Sequence, residues 1–251
     1  MKLGKLILLG TVSFAATAIW KTPANFVYQY VPHENMQLQG LSGTIWKGEA
    51  DELITKNISV NNVAWSVDLL QSLLNLSLKT NVTVQDSEIS ANGLVGINLA
   101  QTITLDNAQF EATGSFISKL QKMAKLSGDI KGNITHLKLV KGELPELEAS
   151  YQWKQGMLLA PMRIQPAGDY AVSISPDDNG LSAKISSKDA PLMLSGTAKI
   201  DDKWQYVTDI KIKPANASAK GTMNILRTVL GKLEADGSAL IKQKGQLKPF
   251  Y

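Results

Sequence analysis

The chain has 251 residues, no cysteine, 44% hydrophobic and 19% charged residues, enough apolar content for a folded body and too much for a disordered one. Lys2 and Lys5 precede the first apolar run, so of the formal +4 only +2 remains on the rest, and only Arg163 and Arg227 are arginines. Nucleic-acid binding, which favours clustered Arg forks, is excluded, and the lack of thiols removes disulfides, thiolate nucleophiles and cysteine metal sites.

Residues 6–20 carry no charge and lie between Lys5 and Lys21. As a helix they span about 22 Å, against roughly 30 Å for a hydrocarbon core. Lys5 can snorkel and Trp20 suits the far interface, which extends the usable length. Ala16-Thr17-Ala18 is an acceptable cleavage signal, so a removed signal peptide stands as the alternative to a retained anchor. Retention is the expectation, with residues 1–21 as a single signal-anchor helix. Lys2 and Lys5 keep the N-terminus cytoplasmic, and the rest of the chain is exported.

From residue 38 the dominant period is two. Ile97, Leu99, Ile103 and Leu105 fall on one side of a run whose other side is polar. Leu74, Leu76 and Leu78 alternate with Asn75, Ser77 and Lys79, and are followed by Val82 and Val84. Leu137 and Leu139 flank Lys138, and Ile210 and Ile212 alternate with Lys211 and Lys213. These are half-buried strands. Turns are predicted at Asn92-Gly93, Lys131-Gly132, Asp177-Asp178-Asn179-Gly180 and Asp201-Asp202. The expected fold is mainly β: a large curved antiparallel sheet with short capping helices.

Helical spacing appears over 115–126, through Phe116, Leu120, Met123 and Ala124. It recurs over 222–233, through Ile225, Leu226, Val229, Leu230 and Leu233. Leu69-Leu70 with Leu73-Leu74 predicts one further helical turn, and all three are expected to pack over the sheet. The phrase Leu41-Ser42-Gly43-Thr44-Ile45-Trp46-Lys47-Gly48 is echoed by Leu126-Ser127-Gly128-Asp129-Ile130-Lys131-Gly132. Each is followed by a tryptophan (Trp65, Trp153) and then a Leu-Leu pair. Two similar β-rich halves are expected, 22–125 and 126–251. Trp46 and Trp65 are expected in the core.

No chemistry announces itself. His33 and His136 lack metal-ligand spacing, and no nucleophile elbow, phosphate loop or dinucleotide turn occurs. Asp177-Asp178 and Asp201-Asp202 read as turns, and Glu143, Glu146 and Glu148 around Pro145 as a solvated loop. No catalytic, cofactor-binding or metal residue is assigned, no cofactor is expected, and the expectation is a protein that is not an enzyme.

Leu41-Ser42-Gly43-Thr44-Ile45-Trp46-Lys47-Gly48-Glu49-Ala50 resembles the signature of the type II secretion system protein N family. Val63-Ala64-Trp65-Ser66-Val67-Asp68-Leu69-Leu70 resembles the tryptophan strand that follows it there. Leu126-Ser127-Gly128, the Pro145 segment and Tyr151-Gln152-Trp153 fit the family's second half. Glu49 departs from the family, which more often has a basic or small polar residue at that place, and puts in doubt any charge-based contact there. The resemblance implies a single-pass inner-membrane protein with a periplasmic body. Its work would be the export of folded proteins across the outer membrane. Its implied partners are other secretion subunits, in the inner-membrane platform or the secretin. A one-sidedly apolar sheet behind a membrane anchor is also similar to the AsmA-like and lipopolysaccharide-transport group. That similarity implies a periplasmic lipid-binding or lipid-transfer protein as the alternative.

Overall fold

Alternation of apolar and polar residues puts every second side chain on the same side of a strand, and here it organises one sheet from end to end. A computed structural model of the chain describes residues 13, 17–30, 36–121, 124–160, 164–230 and 233–248. The first strands are β1 (Met36–Gln39), β2 (Ser42–Gly43), β3 (Lys47–Thr55), β4 (Ser59–Val67), β5 (Ser77–Gln85), β6 (Ile89–Asn98) and β7 (Ile103–Thr113). They continue with β8 (Lys125–Leu139), β9 (Glu146–Ala160), β10 (Ile164–Asp177), β11 (Gly180–Lys188), β12 (Leu192–Asp201), β13 (Gln205–Pro214) and β14 (Ala239–Gln246). Among the described residues these form a single 14-stranded sheet in which β1 pairs β3 and every later strand pairs its sequence neighbour, with β2 beside β3. All pairings are antiparallel. The sheet is open, with β1 and β14 as its edges.

Register sorts the two faces cleanly. One row of cross-strand partners runs Val63, Val84, Ala91, Phe110, Gly132, Tyr151, Val172, Ile185, Gly196, Ile210 and Ile241, without a charged side chain and with the Tyr151 hydroxyl as its one polar group. The adjacent row, on the opposite face, runs Thr83, Asn92, Gln109, Asn133, Ser150, Ser173, Lys184, Thr197, Asp209 and Lys242. A one-residue slip would exchange the faces, so this patterning fixes the register.

The helices are α1 (Ala24–Tyr28), α2 (Leu69–Leu74), α3 (Gly114–Leu120) and α4 (Ala217–Leu230). Each of the last three has a side-chain N-cap: Asp68 accepts from Gln71 N (2.9 Å), Thr113 from Phe116 N (3.2 Å) and Asn216 from Ala219 N (2.8 Å), each satisfying an otherwise orphan amide. The helix expected over 115–126 therefore starts at its cap and stops at Leu120, because Lys125 and Leu126 already pair with β9; Met123 lies outside the described residues. The helix expected over 222–233 begins earlier, at Ala217, and ends at Leu230.

Two predicted turns are strand interiors. Gly132 pairs with Phe110 and Tyr151 in the middle of β8, and a Cβ there would run into the Phe110 ring. Gly93 sits at a bulge between β6 and β7, where Asn107 takes φ 51° and the Ala108 Cα would lie 3.1 Å from an added Cβ. Glycine at both places serves close approach, not chain reversal. The run from Ile97 to Leu105, read as one strand, is a hairpin: Ile97 pairs with Ile103, and Asn98 Oδ1 accepts from Thr102 N at 2.9 Å. An odd-numbered residue faces the same way on both sides of this turn, which is why the alternation seemed unbroken. Leu74 belongs to α2 and not to the strand that begins at Ser77.

Burial is concentrated at two places. Under α3, Phe116 packs with Ala50, Val60, Val63 and Ala112; under α4, Met223 and Ala219 pack with Leu192, Ile212 and Ala239. Between them, among residues of β8 to β11 whose burial is described, Ala149 is the only buried hydrophobic side chain. The accessible surface is 16442 Å², against about 10,900 Å² expected for a globular chain of 27.2 kDa. The excess is what a single sheet layer with a largely uncovered face leaves to solvent.

The anchor expected over residues 6–20 falls largely outside the described residues. Residues 17–20 are helical, and among the described residues no helix is long and apolar enough to cross a membrane.

Candidate functional site

The apolar face is the feature with no structural counterpart. Its mid-sheet side chains, including Tyr151, Val172, Ile174 and Ile185, are half-buried, sheltered by their neighbours and by no second layer. Aromatic rings link strands on it: Phe110 on β7 meets Tyr151 on β9 across Gly132, at 6.0 Å between centroids, and Trp153 meets Tyr170 on the next strand at 5.5 Å, separations typical of favourable aromatic pairs. Burial among these rings raises both tyrosine hydroxyls above their ordinary value of 10.0.

Beneath α3 the same face deepens into a groove of 340 Å³. Val82, Val84, Val95, Leu105, Phe110 and Ile134 form its floor, and Phe116, Ile117 and Leu120 one wall. A groove of this size and lining suits an aliphatic chain or an apolar side chain.

The opposite face is polar and self-paired. Lys79, 9% exposed, donates to Asp106 Oδ2 at 2.7 Å and to Thr104 Oγ1 at 2.9 Å. Asp106 Oδ1 also meets His136 Nδ1 at 2.6 Å. Burial works against the Asp106 charge, but the hydrogen bonds from Lys79 and His136 outweigh it and hold the carboxyl below its ordinary value. The sequence offered no hint of this cluster, since Lys79 and His136 stand 27 and 30 residues from Asp106. His33 lies outside the described residues. Asp177 pairs with Lys199 at 2.6 Å, and Asp201 Oδ1 accepts from Lys203 N and Gln205 N, so both close turns. Glu146 pairs with Lys138 at 2.5 Å. Among the described residues no group of three His, Asp or Glu is placed to hold a metal ion.

The two echoed phrases share a clasp. Gly43 and Gly128 both take left-handed φ, +79° and +94°. The tryptophan downstream of each returns its indole N–H to the phrase's backbone: Trp65 to Ile45 O at 3.3 Å and Trp153 to Ser127 O at 2.8 Å. Gly48 lies under the Trp65 ring, where a Cβ has no room. Trp65 is half-buried and packs on the Ala50–Val63 cluster. Trp46 departs from the core expected for it. It is half-buried, stacks on Trp20 at 6.3 Å and donates its indole N–H to Ile19 O at 2.9 Å. Its place is at the end of the sheet, where its carbonyl accepts from Val67 N at 2.7 Å and its ring lies against the N-terminal segment. The helix α2 is the second departure: it does not lay its leucines on the sheet but leaves Leu70, Leu73 and Leu74 exposed.

Two comparisons bear on this architecture. The family model for type II secretion system (T2SS) protein N matches residues 34–241. Type II secretion system protein N of Aeromonas hydrophila is 22% identical over 209 residues, covering 81% of this chain and 82% of that protein. The protein of the same name from Vibrio cholerae is 20% identical over 247 residues, covering 96% of this chain and 97% of its own. No solved structure matches the chain. The matched span runs from just before β1 into β14, so the family is defined over the sheet itself, and the chain belongs to the type II secretion system protein N family.

Proposed function

We propose that this chain serves the type II secretion system as a non-enzymatic binding component of the inner membrane. Its N-terminal segment is retained as a single-pass anchor with the N-terminus in the cytoplasm. Its sheet stands in the periplasm and engages other subunits of the platform or the secretin. The observation that carries the reading is the family match across the whole sheet, together with an apolar face that this chain does not cover. An uncovered face of this kind marks a partner site more often than a defect. The edges are weaker candidates: β1 has four residues, and β14 presents Lys242 and Lys244, charges that discourage strand addition. Deleting the gene should leave exported proteins folded and trapped in the periplasm; normal secretion after deletion would refute the reading.

A second reading has its own observation. The apolar groove under α3 is suited to an acyl chain, which favours lipid binding of the kind implied by the AsmA-like resemblance. Mass spectrometry of lipid extracted from purified full-length protein distinguishes them: stoichiometric lipid supports this reading, and its absence removes it.

A further inference from the structure

Helix α2 is six residues long, contains no charged side chain, and exposes Leu70, Leu73 and Leu74 by 70% to 75%. The chain leaves it sharply. Asn75 N bonds to Gln71 O, and Leu76 takes φ 48°, a left-handed backbone that bulky residues rarely adopt. Leu76 is thereby 84% exposed just before β5. Ser77 pairs with Asn98, so the next residue of the adjacent strand, Leu99 in the β6–β7 turn, lies beside it and is fully exposed. Five leucines thus project from one end of the sheet with no packing purpose inside the chain.

The same end receives the N-terminal segment. Ile19 O accepts the Trp46 indole N–H and Trp20 stacks on the Trp46 ring. Trp46 O in turn accepts Val67 N at 2.7 Å, immediately before the Asp68 cap of α2. The uncharged run of residues 6–20 therefore ends two hydrogen bonds, both through Trp46, from the start of the leucine helix. Exposed Lys21 and Lys47 flank the site, while the nearest carboxylate, Asp68, is engaged as the helix cap. Exposed leucines with two lysines and an exposed tryptophan beside them are the composition of a surface that enters lipid headgroups.

We propose that α2 and the β6–β7 turn form a foot that seats the sheet on the bilayer from which the N-terminal segment emerges, with Leu73, Leu74 and Leu99 in the interface. The proposal rests on the reading that this segment stays in the membrane. It adds a second contact that fixes the sheet's orientation, so that the long axis of the strands rises from the bilayer and α3 and α4, at the other strand ends, point away.

The natural absence of cysteine allows single labels. Leu73→Cys, Leu99→Cys and, at the far end of β11, Lys188→Cys are made in the full-length chain and coupled to an environment-sensitive fluorophore. Each protein is reconstituted into vesicles of phosphatidylethanolamine and phosphatidylglycerol, with and without nitroxide-bearing lipid. The expected result is blue-shifted emission at positions 73 and 99, quenched several-fold more by nitroxide lipid than at position 188. Equal, weak quenching at all three positions while the protein stays with the vesicles overturns the foot and leaves the anchor intact. A blue shift at 73 without lipid quenching assigns the patch to contact with a second copy of this chain and also overturns it. Loss of the protein from the vesicles overturns the foot and the anchor together.

Discussion

Helix α3 has seven residues, too few to be stable alone, so its position depends on one side chain. Phe116 is 3% exposed and sits on Ala50, Val60, Val63 and Ala112, gathered from β3, β4 and β7. Phe116→Ala removes a buried aromatic from a site whose floor is backbone-near alanine and valine, which cannot collapse to fill it, and a loss of about 3–5 kcal/mol follows. In a domain of this size that is a fall in melting temperature of about 6–20 °C. Leu120, on the same helix and 46% exposed, gives the internal control: Leu120→Ala should cost about 1 kcal/mol or less. Calorimetry of the two variants decides the matter. A Phe116→Ala melting point within about 2 °C of the parent, or equal losses for both variants, would mean that α3 is not held on this cluster and that the groove beneath it is not a built feature.

Trp65→Ala should cost about 3 kcal/mol or more through lost packing, whereas Trp46→Ala, losing a stack and one hydrogen bond, should cost about 1–2 kcal/mol; urea unfolding ranks them. Gly48→Ala should destabilise by about 1–3 kcal/mol, because the new Cβ would stand 2.6 Å from Ser42 O and against the Trp65 ring; an unchanged midpoint would refute that packing. Asp106 has its pKa depressed below the ordinary 3.8 in the folded state, so its ionisation stabilises the fold above that value and the contribution is lost as pH falls through the lowered one. Asp106→Asn, which strands the buried Lys79, should therefore be less stable than the parent at neutral pH. Denaturant melts should show the gap closing below about pH 4.

What the sequence disclosed and what it hid follow from the range of the interactions. Alternation is local, so the strands around Val82, Leu137 and Ile210 were legible, as was the antiparallel class. Helix existence was legible from apolar spacing, but its limits were not read from Asp68, Thr113 and Asn216, residues whose capping chemistry marks helix starts. Asn92-Gly93 and Lys131-Gly132 misled because a glycine that admits a neighbouring side chain and a glycine that reverses the chain look alike in one dimension. The destination of the α2 leucines was also hidden. The same spacing arises whether a helix covers a sheet or faces outward, and only the placed strands show that nothing lies beneath Leu70 and Leu73. The candidate face was half legible: alternation foretold an apolar side, but how much of it stays uncovered depends on where α3 and α4 pack, against β7 and β8 and against β10, β13 and β14.

Ile185 and Lys184 are neighbours on β11 that point to opposite faces, Ile185 paired with Val172 and Lys184 with Ser173. A photo-activated crosslinking residue placed at each position in turn, in cells with an assembled secretion system, tests the central claim that the protein works through its apolar face. The account predicts adducts with a secretion subunit from position 185 and few or none from position 184. Adducts from 184 alone, or equal yields from both, would contradict it.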